Sequence, residues 1–154
     1  MKRKIIQIRK MEIIEKELNT NHAGILAVVV DNEKVIQFPT TFIYLDKNIY
    51  IFFDNENELL QNIQFGTKVL FTILKSDKIL KEKELDFEPT YSIMYVSISG
   101  LIKRIDELKT ITELQNTYLK KYKKKFSDKA DLTYLANVVM IDTEEIQAFE
   151  EIGG

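Results

Sequence analysis

The spacing of apolar and polar residues alternates between a helical and an extended period along the chain. Met11, Ile14 and Leu18 mark one face of a first helix, which Asn19-Thr20-Asn21 brings to an end. Ala23 to Val30 is an unbroken apolar, β-branched run, too short for a lone helix and stopped by Asp31-Asn32; it predicts a buried strand. A second extended run goes from Lys34 to Tyr44, and Asp46-Lys47-Asn48 turns it into a third, Ile49-Tyr50-Ile51-Phe52-Phe53. A short helix is expected from about Glu56 to Ile63, with Asn55 and Glu58 at capping-box spacing. Lys68 to Leu74 then returns as a strand.

Lys75 to Pro89 is rich in Lys and Glu and reads as an exposed excursion, longer than an ordinary connection. Ser92 to Ile105 is long for one strand, and Gly100 inside it predicts a bend or bulge at a barrel corner. Leu108, Ile111, Leu114, Tyr118 and Tyr122 form the stripe of a substantial helix, with Thr110 and Glu113 offering a second capping box near its start. Lys120, Lys121, Lys123, Lys124 and Lys125 read as the solvated end of that helix, where cations suit the dipole. Glu56, Glu58, Glu144 and Glu145 read as helix-start acids.

Composition changes this picture mainly by exclusion. At 154 residues, 45% hydrophobic and 30% charged, residues 1–154 make one compact domain with a real core. A net charge of −2 gives no reason to expect a nucleic-acid partner. The absence of cysteine removes disulfides, thiolate catalysis and Cys-based metal sites, and no metal ligand set is visible. No apolar run approaches the roughly 18–20 residues of a membrane span. The basic start is broken by Gln7, Arg9 and Lys10 and lacks a signal-peptide core, so the cytoplasm is the expected location. His22 is the one histidine in the sequence, and no glycine-rich phosphate loop exists.

The order of the pieces carries more than any one of them. Ile25-Leu26-Ala27-Val28, then Pro39-Thr40-Thr41-Phe42-Ile43-Tyr44, Asp46-Lys47-Asn48-Ile49-Tyr50-Ile51-Phe52, Leu60-Gln61-Asn62-Ile63 and Gly66-Thr67-Lys68-Val69 follow one another. Tyr91 to Gly100 and Val138-Val139-Met140-Ile141-Asp142-Thr143-Glu144-Glu145-Ile146 come later, the second read as a closing strand and short helix. Over about residues 11–150 this order resembles the FMN-binding split barrels, the group of the pyridoxamine 5′-phosphate oxidases. The resemblance implies a mainly β, α+β fold: a six-stranded split β-barrel with flanking helices, assembled as a homodimer with FMN at the interface. It implies a flavin ring on Gln37, Phe38, Pro39, Thr40 and Thr41, a phosphate near Asp54, Asn55 and Asn57, and Tyr95 across the pocket. If the chain is catalytic, the flavin would carry the redox step of an oxidoreductase.

The phosphate side departs from the family pattern. Phe53 stands where members usually have threonine, and Glu58 and Leu59 where they usually have Arg-Lys. A phosphate wants cations and N–H donors; losing two such contacts costs about 3–6 kcal/mol. A helix N-terminus near Asn55, Lys68, Lys75 or a cation from a partner subunit are the available compensations. Two other readings follow: a ligand-free dimeric interaction module, and a haem-binding or haem-handling barrel with His22 or a tyrosine as axial ligand.

Overall fold

The computed structural model describes residues 3–54, 57–78, 91–122 and 135–153. Its elements are β1 (Arg3–Ile8), α1 (Met11–Thr20), β2 (Gly24–Val30), β3 (Lys34–Thr40), β4 (Ile43–Leu45), β5 (Asn48–Phe53), α2 (Glu58–Asn62), β6 (Lys68–Lys78), β7 (Tyr91–Ile105), α3 (Leu108–Tyr122) and β8 (Asn137–Gly153). They form one antiparallel sheet in the order β3-β2-β6-β7-β8-β5-β4, with β1 added on β8. The sheet is thus eight-stranded where six strands were expected.

Both extra strands have a physical origin. β1 reads RKIIQI and is exposed along most of its length, so it lacks the one-sided pattern that marks a strand in sequence. The run Lys34–Tyr44 is not continuous: Thr41 and Phe42 break it into β3 and β4. The expected Asp46-Lys47 turn is present, with φ of 49° and 69°, the left-handed pair that a tight hairpin between β4 and β5 needs.

Alternation sorts the strand residues into two faces. Leu26, Val28, Ile49, Ile51, Phe53, Val69, Phe71, Ile73, Val96 and Ile98 point into one apolar core, which α1 closes with Ile14 and Leu18. The sheet curls round this core until Phe38 of β3 meets Phe53 of β5, ring centroids 6.2 Å apart. β3 and β4 are not paired with each other, so among the described residues the sheet stays open.

The corner expected at Gly100 is present as a bulge. Ser99 faces Glu145 while Gly100 faces Thr143, leaving Glu144 as the extra residue. A Cβ on Gly100 would lie 2.2 Å from the Asp142 carbonyl oxygen, so the close approach of β7 and β8 requires glycine there. The short helix expected around Glu144 and Glu145 does not form; both residues lie inside β8, where Glu145 pairs with Ser99 of β7 and Glu144 is the bulged residue. α2 starts at Glu58, and Asn57 caps it by accepting from the Leu59 N–H at 3.0 Å, in place of the Asn55–Glu58 box; Asn55 and Glu56 lie outside the described residues. α3 begins before Thr110, with the Glu107 carbonyl taking the Ile111 N–H, so Thr110 is inside the helix and does not cap it. Leu108, expected on its apolar stripe, is 76% exposed. Most of the Lys75–Pro89 excursion, and Lys123 to Lys125, lie outside the described residues. Among the described residues no helix is long and apolar enough to cross a membrane.

Candidate functional site

The segment expected to carry a flavin ring sits where β3 ends. Thr40 and Thr41 leave the sheet edge there, and the Thr40 hydroxyl donates to the Thr41 carbonyl at 3.0 Å. The last turns of α3 clamp the next residue. Phe42 is fully buried, its ring edge-on to Phe71 at 4.9 Å. Its N–H donates to the Tyr122 hydroxyl at 3.1 Å, and that hydroxyl donates in turn to the His22 carbonyl at 2.7 Å, with the Phe42 carbonyl 3.1 Å away. Tyr118 shares a hydrogen bond with Thr41 at 3.0 Å, and its ring meets Phe52 edge-on and Tyr122 at a tilt. Backbone at this edge is therefore held by side chains that sequence reasoning had read as a plain packing stripe.

Lys121 completes the clamp. Its ammonium donates to the Phe42 carbonyl at 3.0 Å and reaches the Leu18 carbonyl at 3.5 Å, lying 3.7 Å from the centre of the Phe42 ring. Burial lowers the amine to about 8, against the carbonyl and ring contacts, which favour the charged form. Burial likewise pushes the Tyr122 hydroxyl up to about 12. The expectation of a solvated helix end holds for Lys120, which is exposed, and is corrected for Lys121, which is half-buried.

Gln37 and Tyr95 share the outer face of the sheet. Register places Val35, Gln37 and Pro39 beside Val29, Ala27 and Ile25, then Leu70 and Thr72, then Ser99, Ser97 and Tyr95. This face is unusually apolar for a surface: Ile25 is 41%, Val35 64%, Leu70 45% and Leu74 58% exposed. Tyr95 stands three strands from Gln37, roughly 14 Å at sheet spacing. It already stacks on Phe149 at 5.3 Å. Thr40 follows the opposite alternation from Gln37, so the two do not present side chains to the same side of β3.

At the other end, Asp54 and Asn57 follow β5. Asp54 is exposed, and its carbonyl takes the Asn57 N–H at 3.3 Å. Asn57 spends its side-chain oxygen on the α2 cap. Phe53 is buried in the core at 3% exposure, Leu59 packs against the same core, and Glu58 is exposed. Of the cations suggested as substitutes, Lys68 pairs loosely with Glu144 at 3.8 Å and Lys75 is exposed on β6. Among the described residues no group of three or more His, Asp or Glu residues could hold a metal ion. His22 is exposed beside Tyr122, ring centroids 5.7 Å apart.

No protein-family model matches the chain, and no curated protein sequence matches it. Its backbone does match solved structures. A candidate 5-nitroimidazole antibiotic resistance protein from Bacteroides thetaiotaomicron superposes with a TM-score of 0.71 at 16% identity, covering 99% of this chain and 90% of that one. A candidate pyridoxamine 5′-phosphate oxidase from Corynebacterium glutamicum gives 0.62 at 22% identity, covering 97% and 95%. The FAD binding protein from Mycobacterium smegmatis gives 0.62 at 13% identity, covering 95% and 98%. The chain has the fold of these proteins, an antiparallel sheet with flanking helices that is consistent with the split barrel expected from the sequence. The residues expected from the sequence to hold a flavin ring thus fall on β3 and the β3–β4 junction, and those expected near its phosphate fall at the β5–α2 junction.

Proposed function

We propose that the chain is a flavin-binding protein acting as a homodimer, its flavin ring resting on the Gln37–Thr41 edge beside the apolar outer face of β2, β3 and β6. The observation that carries this reading is the face itself: four large apolar side chains stand exposed next to a strand edge whose backbone is fixed from behind by α3. Such a patch suits a second copy of the chain and a flat aromatic ligand, both of which need apolar area and little charge. The fold match to proteins named for FAD and for pyridoxamine-phosphate oxidase supports the same choice of ligand.

The residues fit the two parts of a flavin unequally. Pro39 and Ile25, paired across the outer face, offer an apolar floor, and Gln37 offers an amide for ring oxygens and nitrogens. Asp54, Asn57 and Glu58 offer a phosphate no cation. The ring supplies the dominant contact, and either FMN or FAD fits that reading. A bound flavin supplies hydride or electron transfer; the protein holds the ring, keeps water from one side of it and orients whatever approaches the other. The chain is then an oxidoreductase.

The test is direct. Purified protein is given FMN or FAD, desalted, and its visible spectrum recorded beside its sedimentation profile. Retained flavin bands in a dimer are expected, with Leu70→Glu giving monomers that lose the bands. Colourless wild-type protein after both additions would sink the reading and leave the ligand-free module in its place.

A further inference from the structure

β1 is separated from β3, and from the residues expected to carry a flavin ring, by β2, β6, β7 and β8. It pairs with β8 over all its length from Arg3 to Ile8, and no strand lies on its other side among the described residues. We propose that this open edge binds an extended, acidic segment of a partner protein, which joins the sheet as a further strand beside β1.

The edge is ready for such a partner. Alternate residues of an edge strand turn their N–H and C=O groups outward, and β8 already holds β1 in the extended form that pairing needs. Side chains agree with the backbone. Ile5 is 49% and Ile6 39% exposed, and neighbouring strand residues point to opposite faces, so each face of the edge carries an apolar side chain.

Charge selects the partner. Arg3-Lys4-Ile5-Ile6-Gln7-Ile8-Arg9-Lys10 holds four cations and no acid, in a chain whose net charge is −2. Arg3 is spent on Glu151 at 2.8 Å, while Arg9 reaches only the neutral Gln7 side chain at 3.2 Å. Lys4 and Lys10 are exposed and pair with no acid among the described residues. The β8 acids opposite Ile5 and Ile6 are engaged elsewhere: Glu151 takes Arg3 and the Tyr91 hydroxyl, and Glu150 takes the Ser92 hydroxyl.

A second copy of β1 is the wrong occupant. Antiparallel pairing about a two-fold axis would bring Arg3 and Lys4 of one copy near Arg9 and Lys10 of the other, and facing like charges destabilise a strand pair. Cations along an edge thus keep copies of it apart, and the same cations attract a strand of opposite sign. A lipid surface or a nucleic acid would meet the cations and leave the backbone edge unused. An acidic strand uses both.

The test titrates full-length protein into a fluorescein-labelled hexapeptide of alternating Glu and Val, reading anisotropy. A second peptide has proline in place of valine, which keeps the charge and removes N–H groups that a strand needs. The Glu–Val peptide is expected to bind about tenfold more tightly than the Glu–Pro peptide, to weaken as salt rises, and to slow amide exchange within Ile5–Ile8. Lys4→Glu combined with Lys10→Glu should weaken it about tenfold and favour a Lys–Val peptide instead. Both side chains are exposed and unpaired, so this variant folds, and the two-peptide comparison on the unaltered protein stands without it. Equal binding of the two acidic peptides, unchanged exchange across β1, or binding only to phosphatidylserine vesicles overturns the proposal. Flavin retention is a separate readout, since β1 contains none of Gln37, Thr40, Thr41, Asp54, Asn57 or Tyr95.

Discussion

The two ends of the candidate flavin site are built in opposite ways. At the β3–β4 junction the backbone is over-determined: Tyr118, Lys121 and Tyr122 all reach across from α3 to Thr41 and Phe42. At the β5–α2 junction one side chain, Asn57, caps a five-residue helix, and Phe53 and Leu59 are committed to the core. Ring recognition can run on a rigid strand edge with few side-chain requirements, whereas phosphate recognition needs named cations. The structure holds the β3–β4 end rigidly and leaves the β5–α2 end sparse.

That contrast can be broken most sharply at Tyr122. Phenylalanine there leaves the Phe42 N–H without its partner, and the expected loss is about 1–3 kcal/mol in urea denaturation, with flavin retention falling alongside. Next in size is a gain. Glu58→Lys replaces an exposed acid with a cation at the sparse end, so FMN affinity should rise about tenfold by fluorescence titration, or about 1.4 kcal/mol. An unchanged affinity would place the phosphate elsewhere. Asn57→Ala should cost about 1 kcal/mol of stability, with faster amide exchange confined to α2 and no effect on the clamp.

The smallest effect is in pH. Lys121 has its folded pKa near 8 against 10.5 for the free side chain, so between those values the unfolded chain binds more protons and stability rises with pH. Tyr44 and Tyr122, raised to about 12, keep their protons in the folded chain above pH 10 while the unfolded chain loses them, so stability falls there. A shallow optimum near pH 10 is expected, with a rise of about 1 kcal/mol or less from pH 8 because Lys121 is only half-buried, and Lys121→Met should remove that rising limb.

Strands with one buried face were legible in the sequence because their alternation or apolar run states the face directly, as in β2, β5 and β6. Gly100 announced its bulge for the same local reason. β1 was invisible because it is mostly exposed, and β8 was shortened because Thr143-Glu144-Glu145 imitates a helix start while its partner strands lie far off in sequence. Around the candidate site, strand register was legible and the clamp behind β3 was not. Gln37 and Tyr95 do share a face, but that Tyr118, Lys121 and Tyr122 fasten the β3 edge depends on contacts across about 80 residues, which no spacing rule encodes. The pairing of two tyrosines and a lysine on one stripe was the available signal, since polar-tipped residues on a buried face need partners.

β8 carries a consequence for how the chain reaches this structure. Its 17 residues pair with β1 at one end, β5 at the other and β7 along their length. Until residues 137–153 have been synthesised nothing joins the β3-β2-β6-β7 part of the sheet to the β4–β5 hairpin, and a nascent chain must hold β1, β5 and β7 with open edges. Folding dominated by such distant pairings is slow, and unpaired edges invite association between chains. Refolding yield should accordingly fall with protein concentration well before native stability does.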